Sequence, residues 1–385
     1  MNLLWIPHSP SEPGAHRRDQ YFIRILRERH RIYTLTWQTW KSGDRFKAVM
    51  AGLRFYPLTI DGLDAFHVRR IPDFLRPFRK HYKNVGINQH FFHQDIRRIV
   101  RECNIDMVIA GPTSFMTGYP PFDLDVPLVF DYLDCADWEA KPDHPEKVYM
   151  QESDAILCVS SIAKERAEQF GKPSLYLPNG ADIERMRSAK GDAVRKKYGL
   201  EDANVVSLIG LTCSPRHYFL ESVLHAKKQM PNLKCLLVGH SPAIEASLAK
   251  IPNAEETFIF TGPVPYAEIA SYFAASDVGM YPVDEAVYYS AASPIKIFEY
   301  TAAGKPVVVP RITEAERLGF SNLVFAAPEA EPYGEGILRA FNQPPVHVPQ
   351  IDNFDWTYLA DQLDQFLHEL VNEPAHERVA PAIQV

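Results

Sequence analysis

The segment AASPIKIFEYTAAGKPVVVP, residues 291–310, carries one complete step from helix to buried strand. Proline at 294 suits the first turn of a helix, where its missing N–H costs nothing, and Ser293 before it is a good N-cap. The helix is predicted over Ile295–Ala303; Gly304 then turns the chain into KPVVVP (305–310), an apolar run of the kind buried on both faces of a parallel sheet. The free N–H groups of such a helix start, with the macrodipole, form an anion site, and Lys296 adds a full positive charge beside it. One turn later Glu299 is placed to accept two hydroxyl hydrogen bonds, as a ribose diol would offer. A phosphate site followed by a hydroxyl-binding carboxylate describes a nucleotide diphosphate pocket. An ordinary capped helix with a surface lysine and glutamate has the same spacing.

The same alternation runs outward in both directions. Upstream, NVVSLIG (204–210), a helix over Arg216–Met230, LKCLLVG (233–239), TFIFTG (257–262), a helix over Tyr266–Ala275 and DVGMYP (277–282) complete one α/β series. An earlier series holds NLLWI (2–6), a helix over Arg17–Arg29, RIYTLTW (31–37), MVIA (107–110), PLVFDYLD (127–134), AILCVS (155–160), a serine-capped helix over Ser160–Phe170 and SLYLP (174–178). Between residues 37 and 107 the reading is a basic, irregular stretch. Strand–helix alternation of this kind makes parallel, doubly wound sheets. Two such series in 385 residues predict an α/β protein of two Rossmann-like domains facing a cleft, with the boundary near residues 183–190, just past the NGAD turn (179–182). The expected division is 1–185, 186–350, a final helix over 351–372 and a polar tail at 373–385. The Pro-rich NQPPVHVPQ (342–350) reads as an extended connector, since proline cannot sit in a helix interior.

Composition excludes several classes. Hydrophobic residues make up 46% and charged residues 23%, the balance of a folded globular chain. No run approaches the roughly 20 apolar residues of a membrane span, and MNLLWIPHSPSEPG (1–14) holds no basic leader before a long apolar stretch, so no secretory signal is expected. The five cysteines are scattered without a CxxC pair, the usage of a reduced, cytoplasmic protein. There is no G-x-G-x-x-G, P-loop, HExxH or GxSxG. His90 and His93 have a spacing that can ligate metal on a helix, but it is more often part of a basic surface, and no metal is expected. The net charge of −7 is unevenly spread. Residues 16–101 hold 19 Lys and Arg against 7 Asp and Glu, leaving 22 against 41 elsewhere. So basic an N-terminal third suggests an anionic partner.

Residues 291–310 resemble the nucleotide-binding motif of GT-B glycosyltransferases of the family-4 (group 1) type. LPNGADIERM (177–186) looks like that family's inter-domain turn, and LLVGHS (236–241), FTGPVPYAEIASYFAASDVGMYP (260–282) and FDWTYLADQL (354–363) match in order and spacing. The resemblance covers most of 155–372. It implies a C-terminal helix crossing back to the N-terminal domain, an N-terminal acceptor domain and a C-terminal donor domain. It also implies donor contacts by Lys296, the Ile295 backbone and the Ser293–Pro294 helix start, ribose contact by Glu299, and a base pocket lined by Val264 and Pro265. Tyr281 would face the donor, or else be a strand-end core residue. Arg216 stands where a phosphate-binding cation is often found, and a surface arginine fits the same place. One departure is clear: the second glutamate usual eight residues before the ribose one is Ala291 here.

A transferase must also deprotonate an acceptor hydroxyl if it inverts, and stabilise a departing nucleotide diphosphate, which helix amides and Lys296 can do without a metal. LVFDYLDCADW (128–138) ends an N-domain strand with Asp131, Asp134 and Asp137 close together, where mutual repulsion could raise one pKa. It is similar to the corresponding strand end of bacterial exopolysaccharide glucuronosyltransferases, which implies Asp134 as the base; a turn of capping aspartates is the alternative. The loop 7–19 is expected at the acceptor site, with Gly14 allowing close backbone approach and His16, Arg17 and Arg18 meeting acceptor phosphate. RRIPDFLRPFRKHYK (69–83) interleaves basic with aromatic and apolar side chains, fitting an anionic membrane better than nucleic acid. The resemblance thus implies transfer of a sugar from a nucleotide diphosphate donor, UDP-linked, to a lipid-linked saccharide or other glycan in bacterial cell-surface polysaccharide assembly. Nucleotide-sugar epimerases share this architecture, and Ala291 leaves a non-catalytic nucleotide-sugar-binding partner open.

Overall fold

A computed structural model describes residues 1–14, 16–37, 50–70, 85–112, 121, 123–133, 145–210, 218–283, 291–344 and 347–372. The chain divides into two compact units. One is Met1–Leu177 with the chain from Ala360 onward; the other is Pro178–Leu359.

The first unit is built on an eight-stranded sheet of β1 (Asn2–Ile6), β2 (Arg31–Thr36), β3 (Tyr56–Ile60), β4 (Leu63–His67), β5 (Met107–Ala110), β6 (Leu128–Tyr132), β7 (Ala155–Cys158) and β8 (Ser174–Tyr176). Their spatial order is β3-β4-β2-β1-β5-β6-β7-β8. β1, β5, β6 and β7 are buried almost throughout, which is why they read as unbroken apolar runs. The helix Arg18–Leu26 is shorter than predicted: Arg29 N bonds Leu26 O at 2.9 Å, a tight i to i+3 closure that turns the chain toward β2. The Ser160 cap is as expected, its hydroxyl accepting from Ala163 N at 3.1 Å.

The stretch read as irregular contains real elements. β3 and β4 form an antiparallel hairpin, the one departure from parallel pairing among the described strands. Its turn is Asp61–Gly62, both at positive φ (50° and 73°), the dipeptide such turns demand. An 18-residue helix, Val85–Glu102, follows; its basic composition masked its apolar face, on which Phe92, Ile96 and Ile99 are buried.

The second unit has six parallel strands, β9 (Asn204–Ile209), β10 (Leu233–Val238), β11 (Phe258–Phe260), β12 (Val278–Met280), β13 (Val307–Val309) and β14 (Leu323–Phe325), in the order β11-β10-β9-β12-β13-β14. Successive residues supply opposite cores. Val205, Ile209, Leu236 and Val238 face one cluster, while Val206, Leu208, Leu237 and Val308 face the other. The one polar side chain buried in the middle of β9, Ser207, is satisfied by Tyr300 Oη at 2.8 Å and Ser276 Oγ at 2.6 Å. Tyr300 lies on the helix Ile295–Ala302 and covers Gly279 of β12 so closely that a Cβ there would stand 2.5 Å from its ring. The Pro-rich connector does not stay extended: Pro349 opens a 3-10 turn, Pro349–Phe354, before the long helix Trp356–Asn372.

Candidate functional site

The strand order of the second unit reverses between β9 and β12, and open α/β sheets bind ligands outside the carboxyl ends of the strands at such a switch point. The side chain of Lys296 lies across the end of β9. A Cβ at Gly210 would be 2.8 Å from Lys296 Cε, and Gly210 itself has φ +85°, so glycine both turns the strand end and leaves room for the lysine. Lys296 Nζ donates to Glu299 Oε2 at 2.7 Å and sits 5.6 Å from the centre of the Phe273 ring. Glu299 is buried at 4% exposure, whereas the Lys296 side chain keeps 29%. The two residues, expected to meet different parts of a donor, here pair with each other: a cation held over a glycine and tethered by a carboxylate.

Two expectations about this helix need correction. Ser293 is not its N-cap: Pro294 occupies that position without a side-chain cap, and the helix begins at Ile295. The Ser293 hydroxyl instead accepts from Asn179 N at 2.9 Å, and its carbonyl accepts from Asn179 Nδ2 at 2.6 Å. The proline explains the exchange, since it supplies no N–H and fixes the entry without a capping hydroxyl. The turn NGAD is thereby bolted to the loop before the helix. Gly180 is needed there because a Cβ would meet Phe354 O at 2.5 Å, and Ala181 N donates to that carbonyl at 3.0 Å. Asn179 was not singled out as a site residue; only the NG turn marked it.

Val264, Pro265 and Tyr281 follow the carboxyl ends of β11 and β12. Val264, half-buried, follows the end of β11 and packs against the core cluster, and Pro265 is exposed, opening the 3-10 turn Tyr266–Glu268. Tyr281, just past β12, is half-buried and packs on the same cluster, with its backbone N bonded to Val308 O at 2.9 Å. Ala291 is fully buried. Arg216 lies outside the described residues.

In the first unit the switch point falls between β1 and β5. There His8 Nδ1 lies 2.9 Å from Pro112 O. The acceptor candidates are more committed than the sequence suggested. Arg17 Nη2 donates to the carbonyls of Ser9 and Pro10, both at 3.1 Å, so it braces the loop. Arg18 is buried at 6% exposure and pairs with Asp131 at 3.3 Å; it is not available to an acceptor phosphate. Burial pushes the Asp131 carboxyl up and Arg18 down, while their pairing opposes both shifts. Repulsion from the Asp19 carboxylate adds to the effect of burial at Asp131. Gly14 takes φ +69° and donates its N–H to Asp61 Oδ2 at 2.8 Å, and nothing crowds its Cα, so its role is the turn. His16 is exposed beside Arg24, at 3.3 Å. Asp134 and Asp137 lie outside the described residues.

Of the basic–aromatic segment, 71–83 also lies outside them. Arg69 is tied to Asp95 at 2.6 Å, and Arg70 is buried, so neither is a free surface cation. His90 Nε2 is 2.9 Å from Gln94 Nε2, and the pair with His93 belongs to no metal-ligand group among the described residues. No helix among them is long and apolar enough to cross a membrane.

Residues 208–343 match the family model described as glycosyl transferases group 1. A putative teichuronic acid biosynthesis glycosyltransferase, TuaH of Bacillus subtilis (strain 168), is 27% identical over 177 residues, 44% of this chain and 43% of that one. The match therefore spans less than half of that relative's length. The fold is GT-B. Sucrose-phosphate synthase from Thermosynechococcus elongatus matches with a TM-score of 0.68 at 15% identity over 96% of this chain and 98% of its own. An α,α-trehalose 6-phosphate synthase from Burkholderia multivorans matches at 0.71 and 11% over 96% and 98%. Anabaena HepE, in complex with UDP and glucose, matches at 0.63 and 17% over 96% and 100%.

Proposed function

We propose that this chain is a glycosyltransferase that moves a sugar from a UDP-sugar to a glycan acceptor in cell-surface polysaccharide assembly. The observation that carries the reading is Lys296 seated over Gly210 at the sheet's switch point, one turn from the buried Glu299. In this reading a diphosphate draws Lys296 toward it and meets the free amides at the start of the helix Ile295–Ala302. The ribose diol then donates to the Glu299 carboxylate. As the bond to the sugar breaks, charge grows on the leaving diphosphate, and Lys296 with the helix amides stabilises it in place of a metal. Val264 and Pro265 line the base, Tyr281 faces the donor, and Arg216 is a second phosphate cation.

The UDP preference is supported by the ligand of HepE, and the acceptor class by the printed role of the Bacillus relative. Asp134 is the proposed acceptor base, with Gly14, His16 and Arg17 in the acceptor loop. The first unit would take the acceptor and the second the donor. Peripheral association with the inner face of an anionic membrane would rest on Arg76, Arg79, Lys80 and Lys83 within 71–83. Ala291 favours a second reading, a nucleotide-sugar-binding partner without transferase activity, because no carboxylate stands at that position.

The test is a thermal-shift panel of UDP, GDP, ADP, dTDP and their common sugar conjugates on the wild type and Glu299→Gln. UDP compounds should raise the melting temperature of the wild type and do so much less in the variant. No shift with any nucleotide would defeat the donor site. Stabilisation without turnover on any glycan acceptor would favour the non-catalytic reading.

A further inference from the structure

Away from the donor site, His30, Asp364 and His368 bring three ligand atoms within 4.8 Å of one another. All three belong to the first unit. His30 lies between the helix Arg18–Leu26 and β2, while Asp364 and His368 are four residues apart on one face of the helix Trp356–Asn372. The His30 side chain is 2% exposed, with Nδ1 3.3 Å from the Met1 nitrogen, so Nε2 is the ring nitrogen turned to the helix. Nε2 lies 2.6 Å from Asp364 Oδ1, and His368 Nε2 lies 3.5 Å from the same oxygen. The other carboxylate oxygen, Oδ2, accepts from Arg29 Nη1 at 3.1 Å, and Arg29 also binds Asp361 at 2.6 Å. One oxygen is thus held by the arginine and the other faces two imidazoles.

We infer that this cluster binds a divalent transition metal, Zn2+ foremost, through His30 Nε2, Asp364 Oδ1 and His368 Nε2. Two imidazoles and one carboxylate suit the borderline softness of zinc, and a tetrahedron with bonds of about 2.0–2.1 Å separates its ligand atoms by about 3.3 Å. The separations to Asp364 Oδ1, 2.6 and 3.5 Å, bracket that value. The His368 ring has room to turn onto an ion, since 55% of its side chain is exposed. A water completes the fourth position. The ion would staple the final helix to the segment that leads into β2, a structural role separate from sugar transfer.

The test is a Zn2+ titration of the full chain by calorimetry, with Co2+ ligand-field spectra as a count of ligands, on the wild type, His368→Ala and His30→Gln. One ion per chain is expected, with affinity falling about tenfold or more in each variant, since even outer-shell changes at such sites cost that much. Zinc should also raise the melting temperature of the wild type and not of His368→Ala, whose exposed position leaves the metal-free fold unchanged. No binding at micromolar Zn2+, or binding retained unchanged in His368→Ala, would overturn the assignment.

Discussion

At the residue scale the candidate donor site depends on side chains that make room as much as on those that bind. Gly210 has a left-handed φ and Lys296 Cε above it, so Gly210→Ala meets both backbone strain and a collision. It should cost about 1–2 kcal/mol in stability and weaken any UDP-induced thermal shift by displacing the lysine. Denaturant titration and the nucleotide panel, read side by side, check the two effects. Ser293→Ala tests the corrected role of that serine. The hydroxyl accepts the Asn179 N–H at 2.9 Å where the residue is only 6% exposed. Leaving the amide without a partner should cost about 1–3 kcal/mol, although the helix that follows keeps its start at Ile295. An unchanged denaturation midpoint would place the hydroxyl outside the folding energetics. The sequence marked Ser293 as important and misread its partner, because the partner is 114 residues away.

At the element scale the helices Tyr218–Gln229 and Ala330–Phe341 show how the second unit holds one face of its sheet. Gly334 lets them approach, since a Cβ would meet Ser222 O at 2.8 Å, and Tyr218 packs edge-on against Tyr333 at 5.3 Å. Glu335 crosses between them to His225 Nε2 at 2.8 Å and accepts from Gln229 at 2.9 Å. The hydrogen bond from His225 holds the Glu335 carboxyl below its ordinary range, against a small opposing effect of burial. Its stabilisation is therefore full above the unfolded value of about 4.3 and is lost as pH falls through the folded value. Glu335→Gln should be less stable than the wild type near neutral pH, with the difference closing as pH falls below the ordinary carboxylate range. A gap in denaturation midpoint that stays constant with pH would disprove the linkage. The helix Ala330–Phe341 and the hairpin β3–β4 were missed as elements. Two glycines, Gly334 and Gly336, break the helical signal in the first, and surrounding basic residues hid the Asp61–Gly62 turn in the second.

At the scale of the whole molecule, the charge imbalance along the chain is partly cancelled in space. Arg18, Arg29 and Arg97 of the basic third pair with Asp131, Asp361 and Asp364, and Asp123, all from outside it. The surplus left for an anionic surface is smaller than the count suggests. If a membrane is the partner, flotation with anionic liposomes should fall with rising salt and be lost when Arg76, Arg79, Lys80 and Lys83 are changed together to serine. Neutralising Arg69 should matter less, because Asp95 already holds it. Flotation indifferent to the four-residue change would defeat the membrane reading.

Several features settled by neighbours in the chain were legible beforehand. The buried strands announced themselves as short apolar runs, the Ser160 cap as a serine before a helical pattern, and the position of Glu299 one helical turn beyond Lys296 as plain spacing. Those features depend on local spacing, which covalent geometry carries directly into the fold. The order of strands could not be read this way, and that order puts the switch point at β9 and β12. Nor could the partners of Arg18, Arg69 and Ser293, each chosen by an element remote in sequence. A charge or hydroxyl takes whichever complement burial brings to it, and burial is a property of the folded molecule, because only folding decides which groups lose water together.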